Sequence, residues 1–289
     1  MKAEQSFLLD ALVYLTDCNW IVGNSLSDNI EYNRRLNSDK YVFMKKCGLR
    51  AYHLEVEDVL EAVLRDRELA QMVVLSYSDV CSGLCLLNSE NKEVTFVFGG
   101  FLESEWIDNA SVVLEQMSVH QVEAYKWMRC MIEEYDFAKG EYKIYACGHF
   151  KGGNKAVFCT AMTEVVNECY AYDSPGLSEE FVRVHGEDYS KKASSITYYE
   201  NAFSLYGMLG CKNAASKREY YDSDFMKRGL HEIFVLDKNY SVKLRKKLDG
   251  YNKQIKGFAD VWGKIMALEP DKKESAVKEL IYNMYENYR

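Results

Sequence analysis

The sequence predicts an α/β fold, a mainly parallel sheet with helices on both faces, and three observations predict it. Runs of β-branched and aromatic residues alternate with helical patterns through the middle of the chain, as βαβ units do. One of these strands, YKIYAC (142–147), runs directly into a glycine-flanked turn, GHFKGG (148–153), and then into a helical pattern. The other helical stretches gather at the two ends. With 289 residues, 48% hydrophobic and 28% charged, the chain can bury one large core. We read it as a single domain over 1–289: a helical region to about 70, a core over about 71–240, and C-terminal helices over about 241–289.

The elements follow in order. SFLLDALVYL (6–15) opens the helical region, and EVEDVLEAVLRDRELAQ (55–71) places Val56, Val59, Leu60 and Val63 at helical spacing. QMVVLSYSD (71–79) and GLCLLN (83–88) read as strands, and KEVTFVFGG (92–100) alternates Val94, Phe96 and Phe98 with Thr95 and Val97 before two glycines. VHQVEAYKWMRCMIEEY (119–135) predicts a helix whose apolar stripe runs through Val122, Tyr125, Met128 and Ile132. After the turn at 148–153, a helix is expected from about Asn154, with Ala156, Val157, Ala161, Val165 and Val166 facing inward.

ECYAYD (168–173) is the next strand, ending at Asp173 before Ser-Pro-Gly, and SSITYYE (194–200) and HEIFVLD (231–237) read as the last two. KLRKK (243–247) falls in a helical pattern. Phe258, Val261, Trp262, Ile265 and Met266 form one stripe. Beyond Pro270, Asp271 and Glu274 form a D-x-x-E cap for a last helix burying Val277, Leu280, Ile281, Met284 and Tyr285. In an open sheet of this kind, sites gather at the carboxyl ends of strands, where Gly99-Gly100, the turn at Phe150 and Asp173 all fall.

Charge and cysteine usage exclude several classes. The net charge of −8 leaves no basic footprint for nucleic acid. No apolar run reaches the length of a membrane span, and Asp10 and Asp17 interrupt the N-terminal run that would otherwise resemble a signal sequence. The nine cysteines include no C-x-x-C pair, and Cys130, Cys147, Cys159 and Cys169 stand among apolar neighbours, as buried thiols do. A reducing, cytoplasmic setting is expected. No motif implies a metal or a cofactor, and oligomeric state is not legible.

Gly148 and Gly152 stand two positions either side of Phe150, the G-x-S-x-G spacing of a nucleophile elbow, with Gly153 beyond. In that frame the apex residue takes a strained positive φ, and glycine removes the side chains that the tight reversal would bring into collision. GHFKGGNKAV resembles the elbow of the class 3 lipase-like α/β-hydrolase superfamily, nearest a bacterial branch whose elbow reads GHSKGGNLA. Three other segments resemble that superfamily in order: VFGGFLESEWIDNA (97–110), YAYDSPGLSEEF (170–181) and GLHEIFVLD (229–237). The resemblance spans roughly residues 70–240. It implies an α/β-hydrolase fold, with Phe150 at the nucleophile position and His231 at the general base. It also implies one oxyanion donor at the Lys151 backbone N–H and a second from Gly99-Gly100. Glu200 or Asp173 would be the acid, and His149 is the residue usual beside the apex.

Phenylalanine has no nucleophilic or ionisable atom, so acyl transfer through residue 150 is excluded. The leading reading is therefore a pseudoenzyme that binds a small acyl or lipid-like ligand, or a protein partner. The alternative is an active lipase or esterase that uses a different nucleophile, with Ser174 and Cys147 as candidates, or a water activated by His231. A third reading makes Phe150 an isolated change in an ordinary serine hydrolase.

Overall fold

The computed structural model describes residues 1–14, 19–36, 56–100, 108–201, 206–221, 234–244 and 253–286. Among the described residues four helices come first: α1 (Ala3–Val13), α2 (Leu26–Leu36), α3 (Val56–Arg65) and α4 (Arg67–Ala70). Three strands follow, β1 (Val73–Ser78), β2 (Gly83–Asn88) and β3 (Glu93–Phe98), joined antiparallel in sequence order. From β3 the sheet turns parallel. Helices α5 (Asn109–Leu114) and α6 (Val119–Glu134) lead to β4 (Lys143–His149), and α7 (Lys151–Met162) leads to β5 (Val166–Tyr172). Helix α8 (Glu179–Lys192) then leads to β6 (Ile196–Asn201), and β7 (Lys217–Tyr221) closes the sheet. The order of the seven strands is β1-β2-β3-β4-β5-β6-β7. A separate hairpin, β8 (Phe234–Leu236) with β9 (Val242–Leu244), precedes α9 (Lys253–Met266) and α10 (Pro270–Glu286).

Period-2 alternation sorts each central strand onto two faces. Tyr145, Cys147, Tyr170, Tyr172 and Tyr199 face one apolar cluster with α1, α2 and α3. Ile144, Ala146, Cys169, Ala171, Ile196 and Tyr198 face another with α6, α7 and α8. Helix α1 is buried continuously from Gln5 to Leu12, as expected of a helix lodged between a sheet and other helices rather than lying on the surface.

Several sequence expectations are corrected. The last strand of the main sheet is β7, KREYY, whereas Phe234–Leu236 belongs to the small hairpin. KREYY escapes notice because an edge strand with solvent on one side carries charge freely. Helix α7 starts at Lys151 rather than Asn154, because the chain reverses into helix immediately after the apex. It ends at Met162, so Val166 opens β5 and Val165 lies in the connection. The buried stripe of α6 runs through Gln121, Ala124, Met128 and Ile132, one position off the expected one at its start. A capping box between Ser118 and Gln121 turns that first residue inward.

Near the C-terminus, Lys243 and Leu244 lie in β9 and not in a helix. Pro270 itself opens α10, so Asp271 is inside the first turn and not at its cap. Val277 and Ile281 are buried as expected, Leu280 is only half-buried, and the side chains of Met284 and Tyr285 lie outside those described. Val261 is 47% exposed although its neighbours Phe258, Trp262, Ile265 and Met266 pack inward. Cys130 is exposed on α6, whereas Cys147, Cys159 and Cys169 are buried. Among the described residues, no helix is long and apolar enough to cross a membrane.

Candidate functional site

The turn between β4 and α7 has the geometry its glycines predict. Phe150 sits at φ 51° and ψ −119°, a conformation that costs a non-glycine residue about 1–3 kcal/mol and persists only where the surroundings impose it. They impose it sterically. A Cβ on Gly148 would lie 2.2 Å from the Gly152 carbonyl carbon, and one on Gly152 would lie 1.9 Å from the Phe98 carbonyl oxygen. Gly153 backs onto the Ser174 side chain and Gly100 onto the Gly152 nitrogen, so the β3 loop, the elbow and the β5 loop meet at one point. The Phe150 N–H donates to the Tyr172 carbonyl (2.9 Å), tying the apex to the neighbouring strand end.

What stands at that apex is packed, not open. Phe150 is 7% exposed and belongs to an apolar cluster with Ala110, Val112 and Val113 of α5, Leu209, and Val277 and Ile281 of α10. Phe258, Trp262, Ile265 and Met266 of α9 pack against the same cluster. The ring therefore joins the C-terminal helices to the carboxyl edge of the sheet and fills the space over the elbow.

The neighbouring polar residues are buried with it. His149 is fully buried, its ring 4.0 Å from that of Phe150 and within 6.5 Å of those of Phe7 and Tyr14. The Tyr14 hydroxyl donates to its carbonyl at 3.1 Å. Burial pushes the His149 imidazole down to about 3, so it is neutral at pH 7, with Nε2 3.7 Å from the buried Asp173 carboxylate. Asp173 takes a positive φ of 45° at the end of β5, a conformation aspartate tolerates better than most residues.

A pH dependence follows. The unfolded imidazole takes up a proton below about 6.5, whereas the folded one resists until about 3. Stability from this group is thus full above 6.5 and falls as the pH drops towards 3. Between pH 7 and pH 5 it should cost about 2 kcal/mol. Urea unfolding at both pH values should show that loss in the native protein, reduced by about the same amount in His149→Gln; equal losses in both would contradict the assignment.

Glu200, at the end of β6, is held by Lys212, whose ammonium also donates to the Gly207 carbonyl and lies 4.6 Å over the Tyr198 ring. Burial pushes the Lys212 ammonium down, opposed by Glu200 and Asp173. One of the two carboxylates the resemblance nominates as triad acid is therefore engaged in a buried ion pair. Ser174 is buried and its hydroxyl donates to the Pro175 carbonyl at 2.9 Å. Cys147 is sealed in the cluster beneath α1, where burial raises its thiol well above the ordinary value. Neither is presented as a nucleophile. His231 lies outside the described residues, as do 101–107, part of the segment expected to form the oxyanion loop.

Other polar anchors escaped the sequence reading. The buried Lys151 ammonium pairs with Asp108. Lys155, fully buried on α7, donates to the carbonyls of Gly99 (2.9 Å) and Cys81 (3.1 Å), fixing the loop after β3 against the elbow. A lysine inside the apolar pattern KGGNKAV was the available signal for this role; Lys212 offers none. Asn154 donates to the Gly176 carbonyl (2.9 Å) and accepts from Gln121 (2.7 Å), locking the Ser-Pro-Gly loop to α7 and α6. Among the described residues, no three His, Cys, Asp or Glu side chains converge as a metal site.

Comparison with known proteins bears on the family and the fold. The Mbeg1-like family matches residues 101–259. A fungal lipase structure aligns over 88% of each chain with a TM-score of 0.50 at 13% identity. A mutant MDLA of Penicillium cyclopium aligns over 88% of each chain with a TM-score of 0.49 at 13% identity. The triacylglyceride lipase of Rhizomucor miehei aligns over 76% of this chain and 78% of its own with a TM-score of 0.41 at 11% identity. No curated protein matches the sequence.

Proposed function

Because the chain belongs to the Mbeg1-like family and has a lipase-like α/β-hydrolase fold, we propose that it is a binding protein that has kept the hydrolase frame and lost its nucleophile. One observation carries this reading: the apex of a sterically intact elbow is a phenyl ring buried among α5, α9 and α10. A serine hydrolase needs a hydroxyl at that point, a base to take its proton and free space for the ester carbonyl. Phe150 removes the first and occupies the third. The ion pair of Glu200 with Lys212 takes up one of the two carboxylates that could orient a base. Hydrolase folds host many functions, so the role is argued from this site and not from the fold.

The ligand on this reading is a small acyl or lipid-like compound near the C-terminal helices. The buried, unbridged cysteines Cys85, Cys159 and Cys169 support a reducing compartment.

Fluorophosphonate reacts with activated serines wherever they lie in the chain, which makes it the direct test. The native protein is expected to remain unlabelled and to release no nitrophenol from short-chain nitrophenyl esters. Stoichiometric labelling, or turnover that tracks the protein through purification, would overturn the proposal.

A further inference from the structure

We propose that α9 and α10 form a cap that opens from the carboxyl edge of the sheet as one unit, held shut by opposite charge on the two walls of a groove. The proposal concerns access to the space over the elbow and holds whatever the protein binds there.

The cap rests on a small footing. Among the described residues of α9 none is fully buried, and in α10 only Val277 and Ile281 are. Phe258, Trp262, Ile265, Met266 and Leu280 pack half-buried against the cluster around Phe150. Beside that footing runs a groove of about 1070 Å³, with α5 and the start of α8 as one wall and the end of α9 and α10 as the other. A unit with so few buried apolar contacts separates at a lower free energy than the sheet beneath it.

The two walls carry opposite charge. The body contributes Glu115 of α5 and Glu179 and Glu180 of α8, with no lysine or arginine in the lining. Ser111 donates to Glu115 (2.9 Å), and Arg183, behind the lining, pairs with Glu180, so this wall stays negative. The cap contributes Lys273, Lys278 and Glu274 and is net positive. Lys273 reaches across to Glu179 (3.3 Å), the one ion pair between the walls among the described residues. Lys278 pairs with Glu274 on its own helix.

Charges as exposed as these attract through water and are screened as ionic strength rises. Salt therefore loosens the clasp, whereas it does not weaken apolar contacts. Opening uncovers Phe150 together with Ala110, Val112 and Val113, so the clasp controls the way to the elbow.

Native-state hydrogen exchange, read by mass spectrometry in α9, α10, β4 and β5, tests this. Amides of α9 and α10 are expected to exchange through a common opening, with protection at least about a hundredfold below that of β4 and β5. Going from low salt to molar sodium chloride should lower the protection of both helices about threefold relative to the two strands. Lys273→Glu with Lys278→Glu should lower it about tenfold at low salt and reverse the salt response, because salt then screens repulsion. Lys273→Met with Lys278→Met, which keeps the side-chain stems, makes the same test should the reversed protein fail to fold. Its protection should no longer fall with salt.

Helices protected as strongly as β4 and β5, or α9 and α10 opening at different free energies, would overturn the proposal. So would a native protein whose cap is indifferent to salt, or one salt response shared by the native protein and its folded variants. Fluorophosphonate labelling reads the proposed function separately, since none of these outcomes bears on whether a serine is activated.

Discussion

Gly152→Ala is expected to abolish folding, although alanine is the better helix former and the residue lies in the first turn of α7. In an open helical position the exchange favours the fold by about 1 kcal/mol. Here the added Cβ would sit 1.9 Å from the Phe98 carbonyl oxygen and 3.0 Å from the Gly99 carbonyl carbon. Both obstacles are backbone, and neither can move without separating β3 from α7. Lys155 clamps the same loop by its bonds to Gly99 and Cys81, so the strain has no soft outlet. A cost above about 4 kcal/mol consumes most of the stability of an ordinary domain. Gly263→Ala is the control, because nothing lies within 4 Å of its would-be Cβ in α9; it should leave stability unchanged or raise it by up to about 1 kcal/mol. Soluble expression and urea unfolding of the two variants check this. A Gly152→Ala protein as stable as the native one would mean that the contact of elbow and β3 is not as tight as described.

The elbow was legible in the sequence because its cause is local. Gly148 and Gly152 are required by the collision of one turn with itself and with the adjoining strand, and that requirement depends on spacing alone. The parallel core was legible for a similar reason, since Tyr145 and Cys147 against Ile144 and Ala146 write the two faces of β4 directly into the chain. The destination of the C-terminal helices was not. An amphipathic pattern such as Phe258, Trp262, Ile265 and Met266 states that a face is buried without stating what it is buried against, and here the partner is the apex residue more than a hundred positions earlier.

Polar anchors were hidden likewise. Lys212 finds Glu200, and Lys151 finds Asp108, only once the fold brings separate segments together. β7 was missed because its charged residues suit an edge strand and mask its period. His231 remains an expectation, since it lies outside the described residues.

Urea unfolding of Phe150→Ala probes most directly whether residue 150 serves packing or the remnant of a site. Alanine still carries a Cβ, so the strain of φ 51° and ψ −119° stays in place and the exchange isolates the ring. If the ring is the piece that fastens α9 and α10 to the sheet, its removal should cost about 3 kcal/mol, toward the low end for a buried phenylalanine because several of its neighbours are only partly buried. Hydrogen exchange should quicken first in α5, α9 and α10. A variant of unchanged or greater stability, with those helices equally protected, would show that the ring is not structural and would contradict the account.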